Sequence, residues 1–292
     1  MHEPQGSVPA RPTPDEIAAM IGLLGDDHEP IAAAARERLL HWGELAAGAL
    51  RQGAEALSMR LRARCRSVLR AIEVQRDLLR LCSLRLGRTP RSAPSPLLEG
   101  AVALSSLVRT FVPPADELAA LLRREAALLR PALGGRSLPT CARLLAERLH
   151  DQFGLRGGEH APGGIDAVAI DRVLALRRGA PVTLSLIYVL VARWAGLAVT
   201  GVSMPDYFLV RLHGTRPILL DPFHAGRSIT KADCARYLRA CGHGPVRDHL
   251  RDLGDRELLR HYLAALQRAV ADSPVADART ALLRANAVLG AE

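Results

Sequence analysis

The stretch PVTLSLIYVLVARWA, Pro181 to Ala195, constrains this chain more than any other. Wound at about 3.6 residues per turn, its apolar residues fall on nearly every side, so Val182 to Ala195 reads as a helix buried around its whole circumference. Such a helix cannot lie on an outer surface; it needs other elements packed on all sides. The apolar run from Pro181 to Trp194 is also too short and too interrupted to span a bilayer, which takes about 20 apolar residues. Beyond Gly196 the chain changes character. AVTGVSM, DYFLVRLH and PILLDPF are short alternating runs joined by Pro, Gly and Asp turns, the signature of three short strands. TKADCARYLRACG then returns to a helix capped by Thr230. The expected fold class is α+β: a buried helix on a small antiparallel sheet, flanked by all-α segments on both sides.

The flanks are read from caps and periodicity. The Pro- and Gly-rich residues 1–14 are expected to be disordered. Thr13, Pro14 and Glu16 form a capping box that starts the first helix, which Gly25 ends. EPIAAAARERLLHWG comes next, with Ile31, Ala35 and Leu39 on one face and Gly43 as the stop. SMRLRARCRSVLRAI returns about thirty residues later with Leu61, Cys65 and Leu69 on a common face, a period shorter than the roughly 40–47 residues of HEAT-like repeats. A HEAT-like pair and an ordinary helical hairpin bundle both remain open for this segment, 15–92. GRTPRSAPSP, Gly87 to Pro96, is the strongest linker signal in the chain. Amphipathic helices are expected at 97–110, 114–130 and 137–152. The second domain is bounded at 93–246, and 247–292 reads as a C-terminal helical hairpin broken at Ser273–Pro274.

Composition narrows the function classes. The net charge is +9, which points toward nucleic acid, but Lys231 is the only lysine among 39 Lys and Arg residues. Arginine that dominant beside abundant alanine reflects a GC-rich coding bias. The arginines are dispersed and aromatics are 3%, which leaves few stacking platforms. Only MRLRARCRSVLR, Met59 to Arg70, is a dense basic stripe, expected to be a partly solvated helix face. Nucleic acid is not the expected partner. The start of the chain lacks a basic n-region and an apolar h-region. The five cysteines (Cys65, Cys82, Cys141, Cys234 and Cys241) form no C-x-x-C pair, so reduced thiols in a cytoplasmic setting are expected. Cys234, Cys241, His243 and His249 are close in sequence but lack the short ligand spacing of zinc sites, so no metal is expected. GLRGGEHAPGGI, 154–165, has no G-x-x-x-x-G-K signature and no strand feeding it, so it is not read as a phosphate cradle and no cofactor is expected. Cys141 beside Thr140 opens a helix and reads as core. His150 and His160 flank the glycine-rich loop with no partner that the sequence identifies.

The block VLALRRGAPVTLSLIYVLVARWAGLAVTGVSMPDYFLVRL, followed by LLDPFHAGRSIT, carries a resemblance. Its Arg177-Arg178-Gly179, Pro181, Thr183-Leu184-Ser185, Tyr188, Gly196-Leu197, Pro205, Phe208 to Arg211 and Asp221-Pro222-Phe223 resemble the SirB-type branch of the transglutaminase-like proteins. The resemblance is strong over about fifty residues and looser over about a hundred more; the N-terminal 90 residues lie outside it. It implies a papain/transglutaminase-like core. In that fold a cysteine sits at a helix N-terminus, where the dipole favours the thiolate. A histidine on the next strand is the base, and an aspartate orients it.

Mapped here, the helix start Pro181-Val182-Thr183 contains no cysteine. Many relatives read Pro-Gly-His-Phe where this chain has Pro205-Asp206-Tyr207-Phe208, so Tyr207 stands in the histidine position. Asp221 keeps the acid position. A hydroxyl needs a base to become a nucleophile, and a neutral tyrosine is not one. Thr183 is therefore expected to cap backbone and Ser185 to bond within its helix. Asp221 is expected to hold a turn with Pro222 or to accept from Tyr207. The expected function is a non-catalytic module that binds a protein partner, with Asp206, Tyr207 and Arg211 along the former active-site groove and the N-terminal helices as a second surface. The alternative is a hydrolase or acyltransferase using Ser185, Asp206 and Asp221.

Overall fold

Thr13 caps the first helix as expected: its hydroxyl accepts from the Glu16 amide while the Glu16 carboxylate accepts from the Thr13 amide, and α1 (Pro14–Leu24) runs from there. The computed structural model describes residues 11–84, 86, 95–158, 163–205, 207–245, 249–271 and 276–290. The start expected to be disordered, the linker at 87–94, His160, Asp206 and the break at Ser273–Pro274 fall outside these residues wholly or in large part. The chain divides into two units, Met1–Arg76 and Asp77–Glu292.

In the first unit, α1 is joined by α2 (Glu29–Trp42), α3 (Glu44–Gly53) and the first part of α4 (Met59–Ser83). Ile17, Leu24, Leu39, Leu50, Cys65, Val68 and Ile72 form their common core. The buried face of α2 is Ala32, Ala35 and Leu39, and Ile31 is exposed, so the face is rotated from the one expected. The basic stripe of α4 is tied to its own unit. Arg64 donates from Nη1 to the carbonyls of Leu24 (3.0 Å) and Asp26 (2.7 Å) and from Nη2 to Glu29 (2.7 Å). Arg62 donates to the Ala56 and Leu57 carbonyls, and Arg60 pairs with Asp27. Cations thus satisfy carbonyls at and just beyond the C-terminal ends of α1 and α3, where the helix dipole also favours them.

The second unit opens, beyond the last turns of α4, with α5 (Pro96–Ser106), α6 (Ala115–Leu133) and α7 (Leu138–Ala146), which runs into a π-helical turn at Glu147–Gln152. Two short helices, α8 (Ile165–Val168) and α9 (Ile170–Leu176), lead into α10 (Pro181–Ala195). Leu184, Leu186, Ile187, Tyr188, Val189 and Leu190 of α10 are all buried. Burial of each large apolar side chain contributes about 1.5–3 kcal/mol of transfer free energy, so α10 is the anchor of this unit. Its C-terminus stops at Gly196, which takes the left-handed conformation (φ 99).

The sheet then forms from β1 (Val199–Met204), β2 (Tyr207–Leu212), β3 (Ile218–Asp221), β4 (Arg227–Ile229) and, after α11 (Lys231–Ala240), β5 (Asp252–Leu253). Its order is β4-β3-β2-β1-β5, antiparallel throughout, with Val202 opposite Leu209 and Val210 opposite Leu220. The strands β1, β2 and β3 were legible; β4 and β5, of three and two residues, were not. Alternation divides the strands between two faces. Val202, Met204, Leu209 and Leu219 pack with Cys234 of α11, which places Cys234 in core. Phe208, Val210 and Leu212 point the other way, toward α10. The chain ends in α12 (Asp255–Ala269) and α13 (Ala276–Gly290). Arg193 of α10 pairs with buried Asp255 at 2.6 Å, and the Tyr262 hydroxyl lies 2.7 Å from Ser105 while accepting from the Ile170 amide. Among the described residues no helix is long and apolar enough to cross a membrane.

Candidate functional site

Asp221 ends β3, and Pro222 directly after it forces the chain into a 3-10 turn, Pro222–His224. The Asp221 carboxylate caps that turn, accepting from the His224 amide at 3.1 Å. The turn carries the His224 ring back over the carboxylate, with Nδ1 2.8 Å from Oδ2. Tyr207 reaches the same group from β2: its hydroxyl lies 3.0 and 3.1 Å from the two carboxylate oxygens and 2.6 Å from His224 Nδ1. Asp221 is almost wholly buried, Tyr207 is partly buried, and the His224 side chain is about half exposed (48%).

These distances constrain the hydrogen positions between the three groups. A carboxylate oxygen carries only lone pairs, so the short Nδ1 contact requires the proton on Nδ1. The Tyr207 hydrogen then goes to Asp221, and its oxygen accepts from the shared Nδ1–H. Nε2 makes no hydrogen bond among the described residues. Burial, then the Asp221 charge and the hydrogen bond to it, hold the Tyr207 phenol well above its ordinary pKa. Tyr207 is a donor here and not a base. Arg227 adds a distant contact, Nε to Oδ2 at 3.7 Å, from an exposed side chain.

Around this cluster the packing is aromatic. Phe223 stands edge-on to both Tyr207 and His224, and Tyr237 of α11 lies 5.5 Å from the Tyr207 ring. The glycine-rich loop has a packing role: a Cβ on Gly157 would lie 2.2 Å from the Phe223 ring. The loop reaches this position because Arg156 bonds to the Arg177–Gly179 backbone, its amide to the Arg177 carbonyl at 2.8 Å and its carbonyl to the Gly179 amide at 3.2 Å. Arg177 itself takes a positive φ of 58 and stacks over Phe153 at 3.6 Å. His150, on the π-helical turn, lies between Asp151 (2.8 Å) and Arg156 (3.1 Å).

The other expected site residues go elsewhere. Thr183 donates its hydroxyl to the Val168 carbonyl at 2.7 Å, a tie between α10 and α8. The Ser185 hydroxyl is fully buried and makes no hydrogen bond among the described residues, so no base activates it and it does not bond back within its helix. The Tyr188 hydroxyl, one turn further, is likewise buried without a partner, beside the inner side of Gly226. Arg211 braces the sheet through Asp252 and the Leu250 carbonyl, at one end of a separate cleft of about 1010 Å³ that Tyr207 does not line. Asp206 lies outside the described residues. Tyr207 and Asp221 are thus brought together, and Thr183, Ser185 and Arg211 are not part of their cluster. His224 was missed from sequence; its signal is the DPFH run, where a proline turn sets a histidine three residues past an aspartate.

A model of the transglutaminase-like superfamily matches residues 114–264, which include every residue of the cluster. A UPF0162 protein of Vibrio cholerae serotype O1 is 30% identical over 128 residues, covering 41% of this chain and 46% of that protein. UPF0162 proteins from two strains of Xylella fastidiosa are 38% identical over 80 residues and 43% over 61, covering 28% and 22% of their lengths. The matched stretch therefore spans less than half the length of each of these relatives. No solved structure matches the chain. With a family match over more than half of its residues and the helix–sheet core in place, this chain belongs to the transglutaminase-like superfamily.

Proposed function

We propose that this chain is a SirB-type member of the superfamily whose core binds a protein partner and performs no acyl transfer. The observation that carries this reading is the engagement of Asp221. The carboxylate that would orient a catalytic histidine on β2 holds a tyrosine there instead. No cysteine stands at the start of α10: Cys65, Cys82, Cys141, Cys234 and Cys241 all lie outside that helix. Without a thiolate and a base facing it, the covalent step of the family has no nucleophile. The cytoplasmic setting, the regulatory role and the HEAT-like character of residues 15–92 belong to the same proposal.

One observation favours a second reading. His224 is held by Asp221 through Nδ1 on a side chain about half exposed, an arrangement in which an imidazole can serve as a general base. It would act on water, giving hydrolysis without an enzyme-bound intermediate, and would not need Ser185. A panel of ester and amide substrates, assayed for hydrolysis and acyl transfer with the unaltered chain, separates the two. We expect no turnover above buffer. Hydrolysis that disappears in His224→Ala and Asp221→Asn, with both variants still folded, would establish the second reading and end the first. Tyr207→Phe is the control: it removes one donor to Asp221 and leaves the His224 contact.

A further inference from the structure

We propose that the cleft between the end of β1, the segment leading into β5 and the outer face of α12 binds a small phosphate ester. The cleft holds about 350 Å³, within the roughly 300–1,000 Å³ usual for small-ligand sites. Its polar lining is cationic or can become so: His249 and Arg251 from the segment leading into β5, and His261 and Arg268 from α12. The last two are two helical turns apart and therefore share a face. Phe208 supplies an apolar wall, and the His261 ring stands edge-on to it at 5.1 Å.

Among the described residues the cationic lining outnumbers its carboxylate partners. Among the described residues no carboxylate lines the cleft, and Arg268 makes no ion pair or hydrogen bond. Glu257 pairs with Arg251 at 2.6 Å while its other oxygen accepts from the Gly254 amide as the cap of α12, so Arg268 is the guanidinium of the cleft without a carboxylate among the described residues. Burial above all, with the guanidiniums of Arg251, Arg260 and Arg268, holds the His261 imidazole below its ordinary pKa against the opposing pull of Glu257. A dianion in the cleft reverses that balance. Two guanidiniums and two imidazoles present more donors than the two oxygens of a carboxylate can use. The three terminal oxygens of a phosphate monoester can accept them, and the apolar wall receives the ester group.

The proposal goes beyond the Asp221 cluster and stands whether or not that cluster turns over. Calorimetry with the full chain and phenyl phosphate tests it. We expect saturable binding, with inorganic phosphate and benzoate each binding more weakly. Arg268→Gln and Arg251→Gln should each weaken phenyl phosphate about tenfold, as loss of one charge-assisted contact does. Arg236→Gln, which removes an exposed arginine on α11 outside the cleft, should change it little. Proton NMR should show His261 titrating at higher pH when phenyl phosphate is bound, because the anion favours the imidazolium among Glu257, Arg251, Arg260, Arg268 and His249. Absence of saturable binding overturns the proposal. So does equal binding of benzoate or inorganic phosphate, an equal loss in Arg236→Gln, or a His261 titration that the ligand does not move.

Discussion

At Asp221 one carboxylate serves a tyrosine, an imidazole and a backbone amide at once. A carboxylate has about four lone-pair positions, and these partners occupy most of them. Tyr207→His would bring a second imidazole to the same oxygens, so adding Thr183→Cys beside it does not rebuild a working triad while His224 stays. The phenols make a prediction about pH. Burial is the first cause that raises the pKa of Tyr188, Tyr207 and Tyr262 in the fold, with the Asp221 charge adding to it at the first two. A raised phenol keeps its proton where the unfolded chain, titrating near about pH 10, loses it. Each contribution is therefore complete below that pH and is lost as pH rises beyond it. Urea midpoints should fall increasingly steeply above about pH 10, and Tyr207→Phe should make the fall shallower. The pairing of Tyr207 with Asp221 was legible because adjacent strands and alternation define it. His224 was not, since a turn of three residues leaves no periodicity to read.

Elements were readable in proportion to their length and phase. The all-round apolar run of α10 and the alternation of β1, β2 and β3 are strong patterns, and each appears where its residues imply. The face of α2 was displaced because Ala32, Ala33, Ala34 and Ala35 form an unbroken alanine run that carries no hydrophobic phase. The strands β4 and β5 are too short to alternate, and their existence depends on neighbours far away in sequence. The arginines of α4 show the opposite limit: their density was plain, but the carbonyls they satisfy could not be seen in one dimension. From that geometry, Arg64→Ala should act on stability. Losing its contacts to Leu24, Asp26 and Glu29 should cost about 1–3 kcal/mol, read as a lower unfolding midpoint of the first unit. A midpoint unchanged by the substitution would show that these contacts are idle and the stripe is free for another use.

The molecule divides at Arg76–Asp77, inside α4, and the family match from 114 to 264 falls wholly in the second unit. The proline-rich stretch after Gly87 suggested a later boundary. The two choices predict different fragments. Asp77 and Leu81 are buried, and a Cβ on Gly100 would lie 3.1 Å from Leu84, so the end of α4 carries contacts that a chain starting at residue 93 lacks. A fragment of residues 77–292 should unfold cooperatively and at higher temperature than one of residues 93–292, measured by calorimetry. Equal melting of the two would return the boundary to the proline-rich stretch. A division inside a helix also bears on how such a protein can evolve. Modules are usually exchanged through exposed linkers, where a misplaced join is harmless. Here a recombination event at the division must fall within a continuous helix. One residue gained or lost there turns every later side chain by about 100° about the axis. A join made at Arg76–Asp77 therefore has to preserve helical phase, a demand that a join in the proline-rich stretch after Gly87 does not make.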